Sequence, residues 1–337
     1  MRNRPTPYAF SFKLFIDGTW PKLLGLGSPR MGFPWSKLAE NALAVGWGRK
    51  KSGLRAERAA RRWGEPMLLL EEGFLRSYGL GASGARALSL VTDDVGIYYD
   101  ATRPSRLENL LNAGHFTPEL ITEAARVLRL IRQAGLSKYN IGRQIIPAKE
   151  LSSSASSASV PKRILVVDQT AGDASIRYGL ANTAAFSTML EAAIDENPDA
   201  EVWVKTHPDV LAGKKKGCLD AAHHRSGIHW ISENWHPHAL LEHFERVYVA
   251  TSQMGFDALL LDKPVTCFGV PFYAGWGLTD DRQACSRRTA KRTLLELVAA
   301  AYLQYPRYIQ PETAKPGTFF DVAEFVARQK RMVGFWE

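Results

Sequence analysis

Two aspartates stand at the end of an apolar run, Ile164-Leu165-Val166-Val167, in the segment Asp168-Gln169-Thr170-Ala171-Gly172-Asp173-Ala174-Ser175. A short apolar run of this kind reads as a buried parallel strand. Open α/β sheets bind ligands beyond the C-terminal ends of their strands, so Asp168 and Asp173 fall where a carboxylate can do chemistry. The competing reading is an acidic loop whose Asp caps the next helix. Downstream, Lys205-Thr206-His207-Pro208 follows a second apolar segment, and Thr251-Ser252 follows a third and precedes a helical pattern. Free N–H groups and the dipole at a helix N-terminus favour phosphate. A protonated His can serve as general acid toward a departing phosphate. Alone, His207 reads as a cap or a buried hydrogen-bonded His, and Ser252 as a plain N-cap. Their joint placement on one sheet edge with Asp173 points to a nucleotide site. A separate group, Glu71-Glu72-Gly73-Phe74-Leu75-Arg76-Ser77, closes the run Met67-Leu68-Leu69-Leu70. A carboxylate there suits general acid/base work on an acceptor hydroxyl, and Arg76 suits bidentate binding of a sugar carboxylate. The alternative is a solvated acidic turn with an exposed Arg.

The elements that must position these groups alternate. Strands are predicted at 164–167, 200–205, 247–250 and 264–268, with helices at 182–196 and from 254 through 261. This alternation implies a parallel sheet with right-handed crossovers. In the first half, the spacing of Leu120, Ile121, Ala124, Val127, Leu128 and Ile131 predicts an amphipathic helix over 118–133. The stretch Leu151-Ser152-Ser153-Ser154-Ala155-Ser156-Ser157-Ala158-Ser159 has little to bury and reads as a connector. The expected organisation is therefore an acceptor-side α/β domain over 1–150, a Ser-rich linker over 151–162 and a nucleotide-sugar-binding α/β domain over 163–316. A C-terminal helix over 317–337 is expected to pack back on the first domain. Two Rossmann-like α/β domains facing a cleft correspond to a GT-B-like architecture.

Composition narrows the function classes. A net charge of +9 on 337 residues favours an anionic partner: a nucleotide, an acidic sugar, nucleic acid or an anionic membrane surface. Without an aromatic-studded strand or a helix-turn-helix pattern, nucleic acid is disfavoured. No apolar run is long enough to span a bilayer, and no signal-peptide block is present, so a cytoplasmic protein is expected. Cys218, Cys267 and Cys285 have no metal-ligand spacing. The histidines at 223, 224, 229, 236, 238 and 243 form no HExxH or finger pattern, and Asp93-Asp94 lacks the spaced Asp-x-Asp of metal-dependent sugar-nucleotide enzymes. Neither a metal nor a cofactor is expected. Lys214-Lys215-Lys216 reads as a solvated loop.

These segments, in order, resemble the capsule-polysaccharide β-Kdo transferases of the KpsC type. The matching stretches are Val45-Gly46-Trp47-Gly48-Arg49-Lys50, the Glu71 to Ser77 segment with Gly79-Leu80-Gly81, Gly96-Ile97-Tyr98-Tyr99-Asp100 and Pro104-Ser105-Arg106-Leu107-Glu108. Beyond the linker they are Asp168 to Ser175, Lys205 to Val210, Gly213-Lys214-Lys215, the Ala250 to Leu260 segment and Pro271-Phe272-Tyr273-Ala274-Gly275-Trp276-Gly277. The resemblance covers roughly residues 40–285. It implies a cytoplasmic, membrane-peripheral transferase that takes CMP-β-Kdo as donor, retains the β configuration and acts on a Kdo-terminated or lipid-linked glycan. The Asp168-Gln169-Thr170-x-Gly172-Asp173 form is more similar to the first of the two catalytic modules common in the family, which makes a β-(2→4) linkage. One module's length implies transfer with a single linkage. Glu71-Glu72-Gly73 departs from the family's usual Glu-Asp-Gly.

Retention implies two displacements with a carboxylate as first nucleophile, and the resemblance assigns that role to Asp173. His207 and Ser252 then hold the CMP phosphate, with His207 assisting departure. Thr251, Lys205, Gln169, Asp168 and Ser175 complete the donor site, and Glu72 is the acid/base toward the acceptor. Arg76 and Arg177, with Lys205, are candidates for the Kdo carboxylate. Two rival readings are an inverting transferase for another CMP-activated acid sugar and a non-catalytic component of capsule assembly or export.

Overall fold

The computed structural model describes residues 4–80, 84–151, 161–206, 210, 215–219, 223 and 226–333. Most of the expected linker, residues 152–160, lies outside the described residues, as do His207 and Lys214. The chain divides into two compact units. One holds Met1–Leu130, Lys138–Asn140 and Val298–Glu337; the other holds Ile131–Ser137 and Ile141–Leu297.

The first unit opens with β1 (Thr6–Ala9), β2 (Arg30–Met31), β3 (Ala42–Trp47), β4 (Met67–Glu72) and β5 (Ser89–Asp93). The second contains β6 (Lys162–Val167), β7 (Ala200–Lys205), β8 (Ile228–Ile231), β9 (Arg246–Val249), β10 (Val265–Cys267) and β11 (Asp280–Asp281). The chain then returns to the first unit with β12 (Pro306–Ile309) and β13 (Pro316–Gly317). Each unit is thus an α/β layer structure on its own sheet, which is the expected fold class.

The second sheet, ordered β11-β10-β9-β6-β7-β8, is parallel throughout. Its central strand β6 is buried over Ile164, Leu165, Val166 and Val167, as a strand covered on both faces must be. The helix Thr183–Asp195 starts where the Asn182 side chain accepts from the Ala185 N–H at 3.0 Å, leaving one fewer unpaired N–H at the helix end. It buries Phe186, Met189, Leu190 and Ala193, one helical face, against Ile164, Val166, Val202 and Val204. Full burial of each such large side chain contributes roughly 1.5–3 kcal/mol. Register fixes the site: Val167 lies opposite Lys205 on one side and Val249 on the other. The residues that follow these three strands therefore emerge at one edge.

The first sheet is mixed, ordered β13-β12-β5-β4-β3-β1-β2. It is parallel from β2 to β4 and antiparallel from β4 to β13. Residues 298–316, expected in the second domain, belong to the first unit because β12 pairs with β5. The final helix, Phe319–Val333, also lies with the first unit, its Phe319 ring edge-on to Tyr302 and Tyr308 at 5.4 and 5.9 Å.

Candidate active site

At the C-terminal edge of the second sheet, Gln169 is the hub. Its Oε1 accepts from the Thr251 N–H at 3.0 Å, tying the end of β6 to the end of β9. Its Nε2 donates to Thr251 Oγ1 at 3.1 Å and to Ser175 Oγ at 3.2 Å, and the two hydroxyls stand 3.2 Å apart. This uncharged, mostly buried network joins three sequence-assigned residues into one platform. Ser252 follows it; its Oγ accepts from the Met254 N–H at 3.2 Å, at the start of the helix Met254–Leu260.

Asp173 begins the helix Ala174–Tyr178, its Oδ1 accepting from the Ser175 N–H at 2.8 Å. The capping reading of this residue is therefore correct as far as it goes. The residue is exposed, and its Oδ2 takes no hydrogen bond from the described residues, so one carboxylate oxygen is held and the other is accessible. Ser175, bonded to both Asp173 and Gln169, connects the candidate nucleophile to the hydroxyl platform. Arg177 is exposed, stands over the Tyr178 ring at 5.8 Å and makes no ion pair among the described residues.

Asp168 differs in kind. It is 3% exposed; Oδ1 accepts from the Cys218 and Leu219 N–H groups, each at 3.1 Å. Burial outweighs those bonds and pushes the carboxyl up to about 6. A Cβ at residue 217 would lie 2.3 Å from Asp168 Oδ2, so only glycine lets this backbone approach so closely. Asp168 thus pins residues 217–219 over the strand end and is not presented to a ligand as Asp173 is. Lys205 is likewise inward: its Nζ donates to the carbonyls of Thr206 at 3.1 Å and Glu233 at 2.9 Å, and burial lowers it to about 8. Both carbonyls already engage it, so its ordering of the strand end is better supported than capture of a sugar carboxylate. His207 lies outside the described residues.

The first unit carries a second cluster at the end of β4. Glu72 forms an ion pair with Arg76 at 2.6 Å and accepts from the Tyr139 hydroxyl at 3.4 Å. Arg76 is 5% exposed and also donates to Ser77 Oγ at 2.7 Å and the Ala85 carbonyl at 3.0 Å. The guanidinium expected to receive a sugar carboxylate is therefore already committed to Glu72. The neighbouring Glu71, in the same predicted acid/base segment but without the assigned role, is held differently. Its Oε1 accepts from Trp47 Nε1 at 2.9 Å and from the Glu72 N–H at 3.1 Å, and burial raises its carboxyl above the usual range against the pull of Lys138. Gly48, at φ +36°, makes room: a Cβ there would meet the Tyr99 hydroxyl at 2.3 Å and Glu71 Oε2 at 2.8 Å. The signal available in sequence was the Trp47-Gly48 pair, an indole donor beside a residue with no side chain. Among the described residues, no group of three or more His, Cys, Asp or Glu side chains is arranged to hold a metal ion.

This arrangement, two α/β units with polar groups at the parallel strand ends, has close counterparts. Residues 42–308 match the family described as capsule polysaccharide biosynthesis protein, and the chain belongs to that family. It is 46% identical over 299 residues to the capsule polysaccharide modification protein LipA of Neisseria meningitidis serogroup B, covering 87% of this chain and 42% of LipA. It is 45% identical over 245 residues to the lipopolysaccharide-processing protein LpsZ of Rhizobium meliloti, covering 72% of this chain and 54% of LpsZ. The chain thus spans about half the length of the curated relatives it matches. Among solved structures it is similar to the KpsC β-Kdo 2,4 transferase of Thermosulfurimonas dismutans, at 46% identity and a TM-score of 0.86, covering 96% of this chain and 98% of that one. The β-Kdo 2,7 transferase of the same KpsC aligns at 29% identity and a TM-score of 0.72, over 97% and 100%.

Proposed function

We propose that this chain is a retaining β-Kdo transferase of capsule biosynthesis, moving Kdo from CMP-β-Kdo to a Kdo-terminated or lipid-linked glycan. The observation that carries the reading is Asp173: an exposed carboxylate with one oxygen tethered and one accessible, fastened through Ser175 to the Gln169–Thr251 platform. The likeness to a β-Kdo 2,4 transferase over nearly the whole chain supports the donor, and its margin over the 2,7 module supports a single β-(2→4) linkage.

In the first displacement, Asp173 Oδ2 attacks the anomeric carbon of Kdo as the bond to the CMP phosphate breaks. The departing phosphate is received by the hydroxyls of Ser252 and Thr251 and the helix N-terminus behind them, with His207 as proton donor. In the second, the acceptor hydroxyl loses its proton to a general base and displaces Asp173, restoring the β configuration. Glu72 was assigned that role from sequence. Its ion pair with Arg76 favours Glu71 as the proton carrier, with Glu72 and Arg76 ordering the strand end beside it. Arg177, exposed in the last turn of the helix that Asp173 begins, is the preferred partner for the Kdo carboxylate. The reaction as written draws on no metal.

Incubating the protein with CMP-Kdo and no acceptor, then measuring intact and peptide masses, tests this reading. The expected result is one Kdo adduct on the peptide containing Asp173, absent from Asp173→Ala. Donor turnover with the adduct on another residue, or with none under rapid quenching, overturns the nucleophile assignment.

A further inference from the structure

The first unit displays a surface that the transferase reading does not use. The helix Phe12–Ile16 inverts the usual pattern: of its apolar residues only Leu14 is buried, while Phe12 is 67% and Ile16 62% exposed and Phe15 also faces water. Just past β2, Phe33 and Trp35 stack face to face at 5.5 Å, and Trp35 is 77% exposed. The two segments adjoin. The helix follows β1 directly and packs beside β2; the Gly32 N–H donates to the Ala9 carbonyl at 2.9 Å, leading Phe33 off the same strand ends. Single exposed apolar residues are ordinary, but five large ones gathered at one sheet edge mark a docking surface.

Charge identifies the occupant. Lys13 and Lys37 lie in or beside these segments and Lys22 and Arg30 between them in the chain, and all four are exposed. Against these four cations, residues 12 to 40 hold two carboxylates, Glu40 and Asp17, and the Asp17 Oδ1 is engaged by the Thr19 N–H at 2.8 Å. Two copies of so cationic a patch repel when placed face to face, whereas an anionic lipid surface attracts each of them. Trp and Phe settle at the headgroup level of a bilayer, and lysine stems lie along apolar surface while their ammonium groups reach the phosphates. No described helix is long and apolar enough to cross a membrane, so such a patch lies on the bilayer.

We infer that Phe12, Phe15, Ile16, Phe33 and Trp35, framed by Lys13, Lys22, Arg30 and Lys37, form a peripheral docking surface for an anionic lipid bilayer. This surface leaves the sheet at the C-terminal edge of β1 and β2, the edge at which β4 presents Glu71 and Glu72. Its service in delivering a lipid-linked acceptor rests on the transferase reading; the docking itself does not.

The test is co-sedimentation of the full chain with phosphatidylcholine vesicles containing or lacking phosphatidylglycerol. Binding is expected to phosphatidylglycerol vesicles, weakening with salt. Replacing Lys13 and Lys37 by Gln should lower partitioning about fivefold for each cation. The double variant Phe12→Ser, Trp35→Ser should lower it on the order of tenfold or more, with an unchanged thermal melt and unchanged transfer to a soluble acceptor. Equal partitioning of wild type and both variants overturns the inference. So does a lipid-free dimer in sedimentation equilibrium that dissociates in the double variant, which would make a second copy the occupant. Failure of transfer alone, with lipid binding intact, counts against the transferase reading and leaves the docking surface standing.

Discussion

The two polar strand ends are built on opposite principles. In the second unit, the platform of Gln169, Thr251 and Ser175 carries no charge, and the carboxylate attached to it, Asp173, is exposed. In the first unit, Glu71 and Glu72 sit side by side, one partly buried against an indole N–H and one tied to a buried guanidinium. An uncharged hydrogen-bonded shelf sets no charge of its own against a negative ligand. In the pair, burial makes Glu71 hold a proton more readily, while Glu72 is tied into an ion pair with Arg76. The difference teaches where to look for nucleophile and proton carrier: the exposed acid suits the first role and the desolvated acid the second.

The comparison breaks most readily at Asp173. Asp173→Ala should lower transfer on the order of 1000-fold or more while CMP binding, followed by calorimetry, stays near wild type. Near-normal turnover would remove the nucleophile from this strand end. The next test separates the two glutamates. Glu71→Gln should lower the transfer rate ~100-fold or more, and Glu72→Gln by less, with its loss accompanied by a lower melting temperature from the freed Arg76 charge. With Glu71 acting as base, the wild-type rate should rise with pH through a midpoint above the usual carboxylate range, because burial raises that group. Equal losses in both variants, or a midpoint unchanged in Glu71→Gln, would return the role to Glu72.

Smaller effects probe the platform. Thr251→Val keeps the side chain's shape and deletes the hydroxyl shared by Gln169 and Ser175. It should cost about 1 kcal/mol of stability in denaturant titrations and raise KM for the donor more than it lowers kcat. A kcat effect alone would mean that the network serves chemistry and not positioning. Asp168→Asn probes an effect on stability that appears only as a dependence on pH. The folded carboxyl titrates near 6 and an unfolded Asp near 3.9, so between those values the folded state binds the extra proton. Its contribution is full below pH ~4 and declines by ~2 kcal/mol as pH rises to about 6. Thermal melts across this window should show that slope in wild type and a flatter line in Asp168→Asn; parallel slopes would refute the burial argument.

Legibility in sequence followed the same division. The second unit's β6, β7 and β9 are continuous apolar runs ending in polar residues, so both their existence and the ligand edge could be read directly. The first unit depends on pairings that no local pattern announces. β5 and β12 are joined across about 215 residues, and β1 and β2 are too short to show a period. Gln169 was legible as a donor-site residue, but its role as hub was not, because a hydrogen bond from residue 169 to residue 251 exists only once β6 and β9 pair. Arg76 was misplaced for a related reason: a guanidinium in a polar segment looks free until its fold partners are known. Position at a strand end alone left Asp168 and Asp173 alike and the resemblance set Asp173 apart; burial adds a physical difference between the residue that pins a loop and the one that faces solvent.

The most direct measurement of the central claim is a transfer reaction with CMP-Kdo generated in situ and a soluble β-Kdo-terminated acceptor, read by mass spectrometry and anomeric NMR. The account predicts a product longer by one Kdo, β-configured and attached through a single (2→4) linkage. An α-linked product would contradict the two-displacement mechanism. Absence of any Kdo transfer by a folded, CMP-binding protein would contradict the transferase assignment itself.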